Sequence, residues 1–180
     1  MIDSRDIKDL DPAARERAQV WLKAVKAEGI DVLITCTYRD AETQNRLYAQ
    51  GRSKPGKIVT NAKGGQSFHN YAVAWDFVVM SNGKPMWNDL KSFRRAGEIA
   101  EKLGIEWAGR WKTFKELAHL QFAGGLSLKQ LRAGKRPETY AAQEATVATK
   151  VATKAAPKVA AKPVAKPASP GKPVASVKAA

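Results

Sequence analysis

The stretch SFHNYAVAWDFVVM, residues 67–80, places His69 seven positions before Asp76 in an otherwise apolar segment. Residues 72–80 have the apolar, β-branched character of a strand, and the SNGK that follows at 81–84 is typical of a hairpin turn. Side chains seven positions apart would point to opposite faces of one regular strand. We therefore expect His69 in the loop before the strand and Asp76 within it, where the intervening turn can bring both to one point.

A second histidine and carboxylate occur in ELAH, residues 116–119, and His69 and His119 are the two histidines of the chain. Two imidazoles and one carboxylate can hold zinc and leave a fourth position for water, which is typical of a catalytic rather than a structural zinc site. Glu116 would then be the base. Burying Asp76 in an apolar strand is costly unless a metal or a basic side chain accompanies it, so the residues alone leave both partners open.

Composition narrows the classes of protein. The 180 residues suit one domain, and the single cysteine, Cys36, excludes an intrachain disulfide and a cysteine-rich metal site. Cys36 lies in an apolar segment and is expected in the core. No apolar run approaches the roughly 20 residues of a membrane span, and the start of the chain lacks the basic flank and apolar stretch of a secretory signal. We therefore expect synthesis in the cytoplasm without a signal peptide.

The remaining patterns predict an α+β fold, a small single domain with a central antiparallel sheet flanked by helices. Asp11 followed by Pro12 begins a helix that continues to Gly29, and Ser127 can cap a last short helix. Further helices are predicted at 41–50 and 90–103, and further strands at 31–38, 105–107 and 117–122.

The end of the chain differs in composition from the rest. Residues 141–180 hold seven lysines against one acid, a net charge of +6, together with five of the nine prolines. Proline removes a backbone donor and fixes φ, so a solvated cationic tail is favoured over a helix. We predict a catalytic domain at 1–136 and a disordered Lys/Ala/Pro-rich tail at 137–180. Such a tail would be attracted to anionic cell-envelope polymers or to outer-membrane lipopolysaccharide.

Three ordered blocks resemble one family. SFHNYAVAWD, residues 67–76, resembles the SxHxxGxAxD signature of the VanY-like zinc D-alanyl-D-alanine carboxypeptidases and L-alanyl-D-glutamate endopeptidases. ELAH, 116–119, resembles that family's acidic-x-x-His element, and TYRDAETQ, 37–44, with LYAQGR, 47–52, resembles its arginine-and-glutamine block. WAGRW, 107–111, falls where members carry a tryptophan- and glycine-rich loop, so the likeness spans about residues 7–125.

The departures from the family pattern are small. Ala72 stands where the signature has glycine, and LAHL at 117–120 replaces the common x-Pro-His-Phe. Ala72 adds one methyl group to the turn between two candidate ligands. The charged and metal-binding positions of the pattern are all present.

The resemblance implies Zn²⁺ held by His69, Asp76 and His119, with Glu116 as the general base. It also implies that Arg39 stabilises an oxyanion or holds a substrate carboxylate, and that Ser67 supports the site through a hydrogen bond. Within the family, the chain is most similar to phage endolysins that cut the peptide stems of peptidoglycan. The expected protein is a monomeric endopeptidase for the L-Ala-D-Glu bond that serves host cell lysis, with potential as an antimicrobial. It would reach the wall through a separate pore-forming protein.

Three alternatives stay open at this stage. The same enzyme class includes D-Ala-D-Ala carboxypeptidases and dipeptidases, which differ in the shape of the substrate pocket. A histone-like nucleic-acid-binding protein would also carry a basic Lys/Ala/Pro tail, although it has no need of the histidine and carboxylate blocks. A zinc-dependent binding module without turnover is the third, and Glu116 argues against it because such a module needs no base beside its metal.

Overall fold

The protein is described here by a computed structural model, which covers residues 1–141. Within these residues the chain forms four α-helices and a five-stranded sheet. The elements are α1 Pro12–Ala27, β1 Asp31–Cys36, α2 Ala41–Ala49, β2 Ala74–Ser81, β3 Lys84–Pro85, α3 Leu90–Lys102, β4 Glu106–Trp107, β5 His119–Gln121 and α4 Leu128–Arg132. Short 3-10 helices lie at Ile7–Asp9, Phe68–Tyr71 and Ala108–Arg110. The predicted α+β class is confirmed.

The helices begin where side chains can satisfy their first amide groups. Asp11 accepts a hydrogen bond from the amide of Ala13, with Pro12 at the first helical position of α1. Asp40 accepts from the amide of Thr43 at 2.7 Å at the start of α2. Ser127 caps α4 with a reciprocal hydrogen bond from the third helical residue. The helix starts predicted from Asp11 and Ser127 in the sequence are therefore confirmed.

The sheet is antiparallel and has the order β1-β2-β5-β4, with β3 paired to the end of β2. The β2–β3 hairpin turns at Asn82 and Gly83, whose φ angles are 49° and 72°. Two successive residues at positive φ match the twist of the flanking strands, which is why Asn-Gly occurs here. This hairpin confirms the turn predicted at 81–84.

One face of the sheet packs against α1 and α3 to form the core. The ring of Trp21 in α1 meets Phe77 of β2 at 4.9 Å between centroids, and Phe77 meets Phe93 of α3 at 5.2 Å. The indole nitrogen of Trp21 donates to the carbonyl of Ala96 at 3.0 Å, so α1 and α3 are also joined directly. Successive side chains of a strand point to opposite faces, so Asp76 points away from Phe77 to the other face of the sheet.

A bulge in β1 changes which side chains share that second face. Ile34 is paired with Phe77, but Cys36 is paired with Asp76, so Thr35 is an extra residue in β1. A bulge of this kind reverses the facing of every residue beyond it. Cys36 therefore leaves the core-facing set of Val32 and Ile34 and lies beside Asp76.

Trp107 of β4 packs between two glycines. A Cβ atom added at Gly97 of α3 or at Gly109 would approach the Trp107 indole to 2.2 Å, so neither position has room for a side chain. The indole nitrogen of Trp107 donates to the carbonyl of Leu117 at 3.0 Å. This contact holds the backbone two residues before His119.

The last strand is shorter than the sequence predicts. It covers His119–Gln121 rather than 117–122, because the amide of His119 donates to the carbonyl of Glu116 and closes a turn over residues 116–119. Strands predicted at 31–38 and 72–80 are observed as Asp31–Cys36 and Ala74–Ser81. These shifts leave Asp76 in β2 and move Glu116 into the turn before β5.

The tail predicted at 137–180 falls largely outside the described residues, since only 137–141 of it are described. In that short part Pro137 is buried and the amide of Tyr140 donates to Glu16 at 2.9 Å. The guanidinium of Arg17 lies 3.6 Å from the centre of the Tyr140 ring. Residues 137–141 therefore contact α1. Over residues 1–141, no helix combines the length and apolar character that a membrane span requires.

Candidate metal and catalytic site

His69 is held by the short helix Phe68–Tyr71 that precedes β2. Ser67 caps this helix by accepting from the amide of His69 at 3.4 Å, and the side chain of Asn70 closes the capping box. The Nδ1 atom of His69 lies 2.7 Å from the carbonyl oxygen of Thr37. Because a carbonyl only accepts, Nδ1 carries the proton and Nε2 keeps its lone pair. Ser67 thus supports the histidine through the backbone, and Nε2 is the free ligand atom.

Asp76 and His119 are brought together by strand pairing. They are direct partners in the β2–β5 register, so both side chains rise from the same face of the sheet. His119 is buried, with 6% of its surface exposed, and His69 is buried to a similar degree at 3%. The placement predicted for these residues is observed: His69 lies before the strand and Asp76 within it.

Three candidate ligand atoms converge, and we refer to them as the ligand triangle. Oδ1 of Asp76 lies 3.3 Å from Nε2 of His69 and 3.0 Å from Nδ1 of His119. The two ring nitrogens are 3.2 Å apart. Ligands bound to tetrahedral zinc at about 2.0–2.2 Å lie roughly 3.3–3.5 Å from one another, so the triangle has nearly the dimensions that zinc requires.

The second ring nitrogen of His119 is also engaged. Its Nε2 lies 3.1 Å from Oε1 of Gln121, and Gln121 is 3% exposed. An amide oxygen only accepts, so Nε2 carries a proton, and Nδ1, which faces Asp76, is the atom that can exchange its own proton for a metal. With both rings deprotonated, each histidine would direct a lone pair to the centre of the triangle, as a metal site needs.

Glu116 is placed by a loop, residues 111–116, which we call the base loop. The amides of Trp111 and Glu116 both donate to the carbonyl oxygen of Ala108, at 3.2 and 3.3 Å. The two ends of the base loop are therefore fixed to one atom. Glu116 lines the same cleft as the ligand triangle, and its carbonyl accepts from the amide of His119.

Charges across the site act on one another. Burial raises the pKa of Glu116, and the nearby negative charge of Asp76 raises it further, while His119, His69 and Arg39 act in the opposite sense. Burial by itself would lower the pKa of His119, but the hydrogen bond and charge of Asp76 outweigh it and the pKa is raised. Burial would raise the pKa of Asp76, but the two histidines hold it far below its usual value. Asp76 is therefore ionised across the physiological range.

The ligand triangle opens into a cleft of about 960 Å³. Its walls combine apolar side chains with charged ones, among them Leu47, Val59, Phe68, Trp111, Phe114, Leu128, Arg39 and Arg132. A neighbouring cavity of about 550 Å³ shares Phe68 and Gln121 with the cleft, so these two residues separate the two spaces. Pockets that bind small molecules typically have volumes of about 300–1,000 Å³. The cleft is therefore large enough for an extended peptide segment.

Comparison with known proteins identifies the family. A family model described as D-alanyl-D-alanine carboxypeptidase matches residues 60–122. The peptidoglycan L-alanyl-D-glutamate endopeptidase CwlK of Bacillus subtilis is 41% identical over 122 residues, which cover 63% of this chain and 73% of the relative. The chain belongs to the VanY-like D-alanyl-D-alanine carboxypeptidase family. It is a peptidoglycan-hydrolysing peptidase.

Solved structures share the fold of this peptidase. The L-Ala-D-Glu endopeptidase ChiX of Serratia marcescens is 18% identical, with a TM-score of 0.51 over 69% of this chain and 85% of that one. The vancomycin-resistance D,D-pentapeptidase VanY, solved in complex with Zn(II), is 16% identical, with a TM-score of 0.50 over 68% and 83% of the two chains. Peptidases of this family depend on zinc.

Arg39 of the VanY-like peptidase lies in the wall of the cleft, and all three nitrogens of its guanidinium donate hydrogen bonds. Nε donates to Asp3 at 3.0 Å, Nη1 to Gln44 at 3.1 Å and Nη2 to the Cys36 sulfur at 3.0 Å. Gln44 is fully buried and donates in turn to the Ala62 carbonyl at 2.9 Å. Burial would lower the pKa of Arg39, but its neighbours raise it, so the group stays charged. Gln44 therefore fixes the direction of Arg39.

Cys36 is buried as expected, but it lies against the site rather than in the apolar core. Its sulfur is 3.5 Å from Nδ1 of His69, and Cys36, His69 and Asp76 offer ligand atoms within 4.8 Å of one another. This second set is the weaker metal site for two reasons. Nδ1 of His69 already donates to Thr37, and burial raises the pKa of the Cys36 thiol, whereas metals bind the thiolate. Cys36 therefore lies behind the cleft, where its sulfur accepts from Arg39, and leaves His119 as the third member of the triangle.

The structure brings together every residue that the sequence singled out for the site. His69, Asp76, Glu116, His119 and Arg39 all line one cleft. Sequence reasoning missed two polar residues behind them, Gln121 and Glu106. Gln121 was within reach, because it is two positions from His119 and shares its face of the strand. Glu106 acts on Gln121 through the pairing of two strands, for which the sequence carries no local signal.

Proposed function

We propose that this protein is a zinc-dependent endopeptidase that hydrolyses the peptide stem of peptidoglycan at the L-Ala-D-Glu bond. The observation that carries the proposal is the ligand triangle, three free ligand atoms 3.0–3.3 Å apart with Glu116 in the same cleft. Zinc-dependence of the family and the L-Ala-D-Glu activity of the 41% identical relative support it.

In this proposal Nε2 of His69, Oδ1 of Asp76 and Nδ1 of His119 hold the metal. Bound zinc would polarise the scissile carbonyl and lower the pKa of a coordinated water to about 7. The protein's part is to hold both imidazoles in the orientation that directs these two nitrogens at the metal. Thr37 and Gln121 do this by accepting a hydrogen bond from the N–H group on the far side of each ring.

Glu116 acts as the proton carrier. Its carboxylate takes a proton from the attacking water, whose oxygen forms a bond to the carbonyl carbon. As the C–N bond breaks, Glu116 passes the proton to the leaving nitrogen, which departs as an amine. The raised pKa of Glu116 suits the first of these steps, because a carboxylate with a higher pKa is a better base.

Arg39 contributes positive charge to the cleft wall. Its guanidinium is fixed by Asp3 and Gln44, so it is oriented before substrate binds. A preorganised cation can stabilise the charge that develops on the carbonyl oxygen, or it can hold a carboxylate of the stem peptide.

A D-Ala-D-Ala carboxypeptidase or dipeptidase is the second candidate, because the matching family model carries that description. The two activities differ in what lies beyond the scissile bond, since a carboxypeptidase needs a closed end and an endopeptidase an open one. The cleft of about 960 Å³ is lined by residues from well-separated segments of the chain, among them Val59, Phe114 and Arg132. A cleft of that extent favours the endopeptidase.

Digestion of purified peptidoglycan, followed by mass spectrometry of the new termini, tests the proposal. Release of fragments with a new N-terminal D-glutamate identifies the L-Ala-D-Glu bond. Release of D-alanine alone would identify the carboxypeptidase and overturn the endopeptidase assignment. The Glu116→Gln variant, prepared identically, controls for contaminating hydrolases.

We also propose that the enzyme acts as a phage endolysin, reaches the wall after release from the cytoplasm, and is concentrated there by its lysine-rich tail. The net charge of +6 over residues 141–180 supports attraction to an anionic envelope. Removal of 142–180 should weaken binding to sacculi and leave cleavage of a small soluble peptide unchanged. Binding should also weaken with salt, because the Debye length falls from about 10 Å at 0.1 M to about 3 Å at 1 M. Loss of soluble-peptide turnover on truncation would contradict this role.

A further inference from the structure

A chain of hydrogen bonds leads away from the ligand triangle to the base loop. Nε2 of His119 lies 3.1 Å from Oε1 of Gln121, and Nε2 of Gln121 donates to Oε2 of Glu106 at 2.9 Å. The other carboxylate oxygen of Glu106 accepts from the indole nitrogen of Trp111 at 2.8 Å. We call His119, Gln121, Glu106 and Trp111 the relay. It joins a candidate metal ligand to the first residue of the loop that ends at Glu116.

The direction of each bond in the relay is determined by chemistry. A carboxylate only accepts, so Glu106 requires the amide nitrogen of Gln121 to face it. The amide oxygen of Gln121 must then face His119, and it can accept only from a protonated Nε2. If the amide were reversed, its oxygen would face the Glu106 carboxylate. Glu106 therefore selects the His119 tautomer whose Nδ1 has a free lone pair.

Strand pairing fixes the spacing of these groups. Glu106 and Gln121 are direct partners in the β4–β5 register, and Gln121 is two positions from His119 on the same strand. Trp107, the next residue of β4, is wedged between Gly97 and Gly109. Glu106 is an exposed residue on a tightly held backbone. Its side chain is thus constrained by its partners and position rather than by burial.

The second oxygen of Glu106 acts on the base loop. Trp111 lines the cleft, its ring lies 5.5 Å from the His119 ring, and its indole nitrogen is bound by Glu106. The amides of Trp111 and Glu116 meet at the Ala108 carbonyl, so the position of Trp111 affects the other end of the loop. The Glu106 carboxylate is therefore linked to the ligand triangle through Gln121 and to the base loop through Trp111.

We propose that Glu106 is a positioning residue that orients His119 through Gln121 and the base loop through Trp111. The inference rests on the proposed zinc site. Removal of Glu106 should free the Gln121 amide to rotate and should weaken zinc binding by about 10- to 100-fold, as is usual when a partner of a metal-bound histidine is lost. Removal of the indole N–H alone should lower kcat and leave zinc affinity unchanged.

The test compares four variants of the full chain: Glu106→Ala, Gln121→Leu, the double variant, and Trp111→Phe, which keeps an aromatic ring without the N–H. Zinc affinity is measured by competition with a chelator, and folding by circular dichroism of the metal-free protein. Glu101→Ala is the matched control, since Glu101 is another carboxylate of this surface, bound to Arg110 at 3.1 Å, and has no contact with the relay. The control should bind zinc as the wild type does.

A double-mutant cycle distinguishes positioning from a general structural role. If Glu106 acts on the metal through Gln121, adding Glu106→Ala to Gln121→Leu should cause no further loss of zinc affinity. Additive losses, or wild-type affinity in Glu106→Ala, would overturn the relay. A drop in zinc affinity in Trp111→Phe would show that the Trp111 contact of Glu106 also acts on metal binding, and would overturn its assignment to turnover alone. Wild-type protein that bound no zinc would overturn the zinc site and the relay together, whereas zinc-binding wild type with unaffected variants would overturn the relay alone.

Discussion

The two parts of the cleft that hold the candidate catalytic residues are built differently. The ligand triangle comes from buried side chains, with His69 and His119 at 3% and 6% exposure, on elements fixed by strand pairing and a capped helix. The base loop is largely exposed at 112–115, and Phe114 at its tip is 49% exposed with φ at 34°. Only its two ends are anchored, both at one carbonyl oxygen.

This difference indicates a division of tasks. A metal needs several ligand atoms held within tenths of an ångström, which a buried sheet face provides. Proton transfer needs one carboxylate that can reach first a water and then a leaving amine, which a loop can do more easily than a strand. Substitutions in the two parts should therefore have separable effects on metal binding and on turnover.

The largest effect is expected from loss of a triangle imidazole. His69→Ala and His119→Ala should each lose bound zinc and with it all measurable turnover, because the two remaining ligand atoms cannot hold the metal. Elemental analysis of the purified proteins measures zinc directly. A variant that kept one zinc per chain would remove that histidine from the ligand set and break the proposed division.

Glu116→Gln should affect the base loop and leave the ligand triangle unchanged. The amide keeps the shape of the side chain but cannot accept a proton, so kcat should fall by about 10²- to 10⁴-fold. Zinc content and melting temperature should match the wild type. Loss of zinc in this variant would instead make Glu116 a ligand, and near-normal kcat would take it out of the mechanism.

Arg39→Ala tests whether the wall of the cleft belongs to the chemistry. Loss of one preorganised hydrogen-bond donor to an oxyanion commonly lowers kcat by about 10²- to 10³-fold, and a residue in the cleft wall should cost less. We expect a fall of about 10- to 100-fold in kcat/KM with zinc retained. Steady-state kinetics of Arg39→Lys beside it separates charge from geometry, since lysine keeps the charge but cannot reproduce three fixed donors. Unchanged kcat/KM in Arg39→Ala would assign Arg39 to structure alone.

Zinc affinity should depend on pH through His119. The pKa of this imidazole is raised in the metal-free protein, so on acidification protons begin to compete with zinc above the ordinary value of 6.5. Below the pKa the affinity should fall about tenfold per pH unit, as one proton is displaced for each metal bound. Chelator competition between pH 5 and 8 measures the slope. Affinity that stays constant down to pH 5 would contradict the raised pKa.

The smallest effect is expected from relief of backbone strain, which occurs both beside the ligand triangle and in the base loop. Ala72 lies between the ligands His69 and Asp76 with φ at 58°, a region that costs a residue with a Cβ about 1–2 kcal/mol. Ala72→Gly should raise stability by about 0.5–1 kcal/mol after the entropy of glycine is included, with zinc binding unchanged. Thermal unfolding measures it, with Ala24→Gly in α1 as a control that should lose about 1 kcal/mol. A loss of stability in Ala72→Gly would show that the positive φ of Ala72 does not destabilise the folded protein.

Much of the fold follows from local signals in the sequence. Asp11 with Pro12, Asn82 with Gly83, and Ser127 each specify a cap or a turn by their own backbone chemistry, and each is observed. The site residues were found because histidines are scarce and because the blocks resemble a known family. Neither signal required knowledge of the packing.

The details that the sequence did not predict come from contacts that no local pattern records. Alternation along β1 places Cys36 with Val32 and Ile34 in the core, but the bulge at Thr35 turns it to the face of Asp76. Likewise, the pairing of Glu106 with Gln121 depends on the register of two strands 15 residues apart in the chain. Such contacts are properties of the assembled sheet, so the sequence of one segment does not contain them.

The wedging of Trp107 between Gly97 and Gly109 limits how this sequence can change over time. Enlarging either glycine alone drives a methyl group into the indole, and shrinking the indole alone leaves a hole beneath the strand that carries the relay. Single steps away from this arrangement therefore pass through less stable proteins. The three positions are expected to change together or to stay as they are, so this corner should diverge slowly even though none of the three residues lines the cleft.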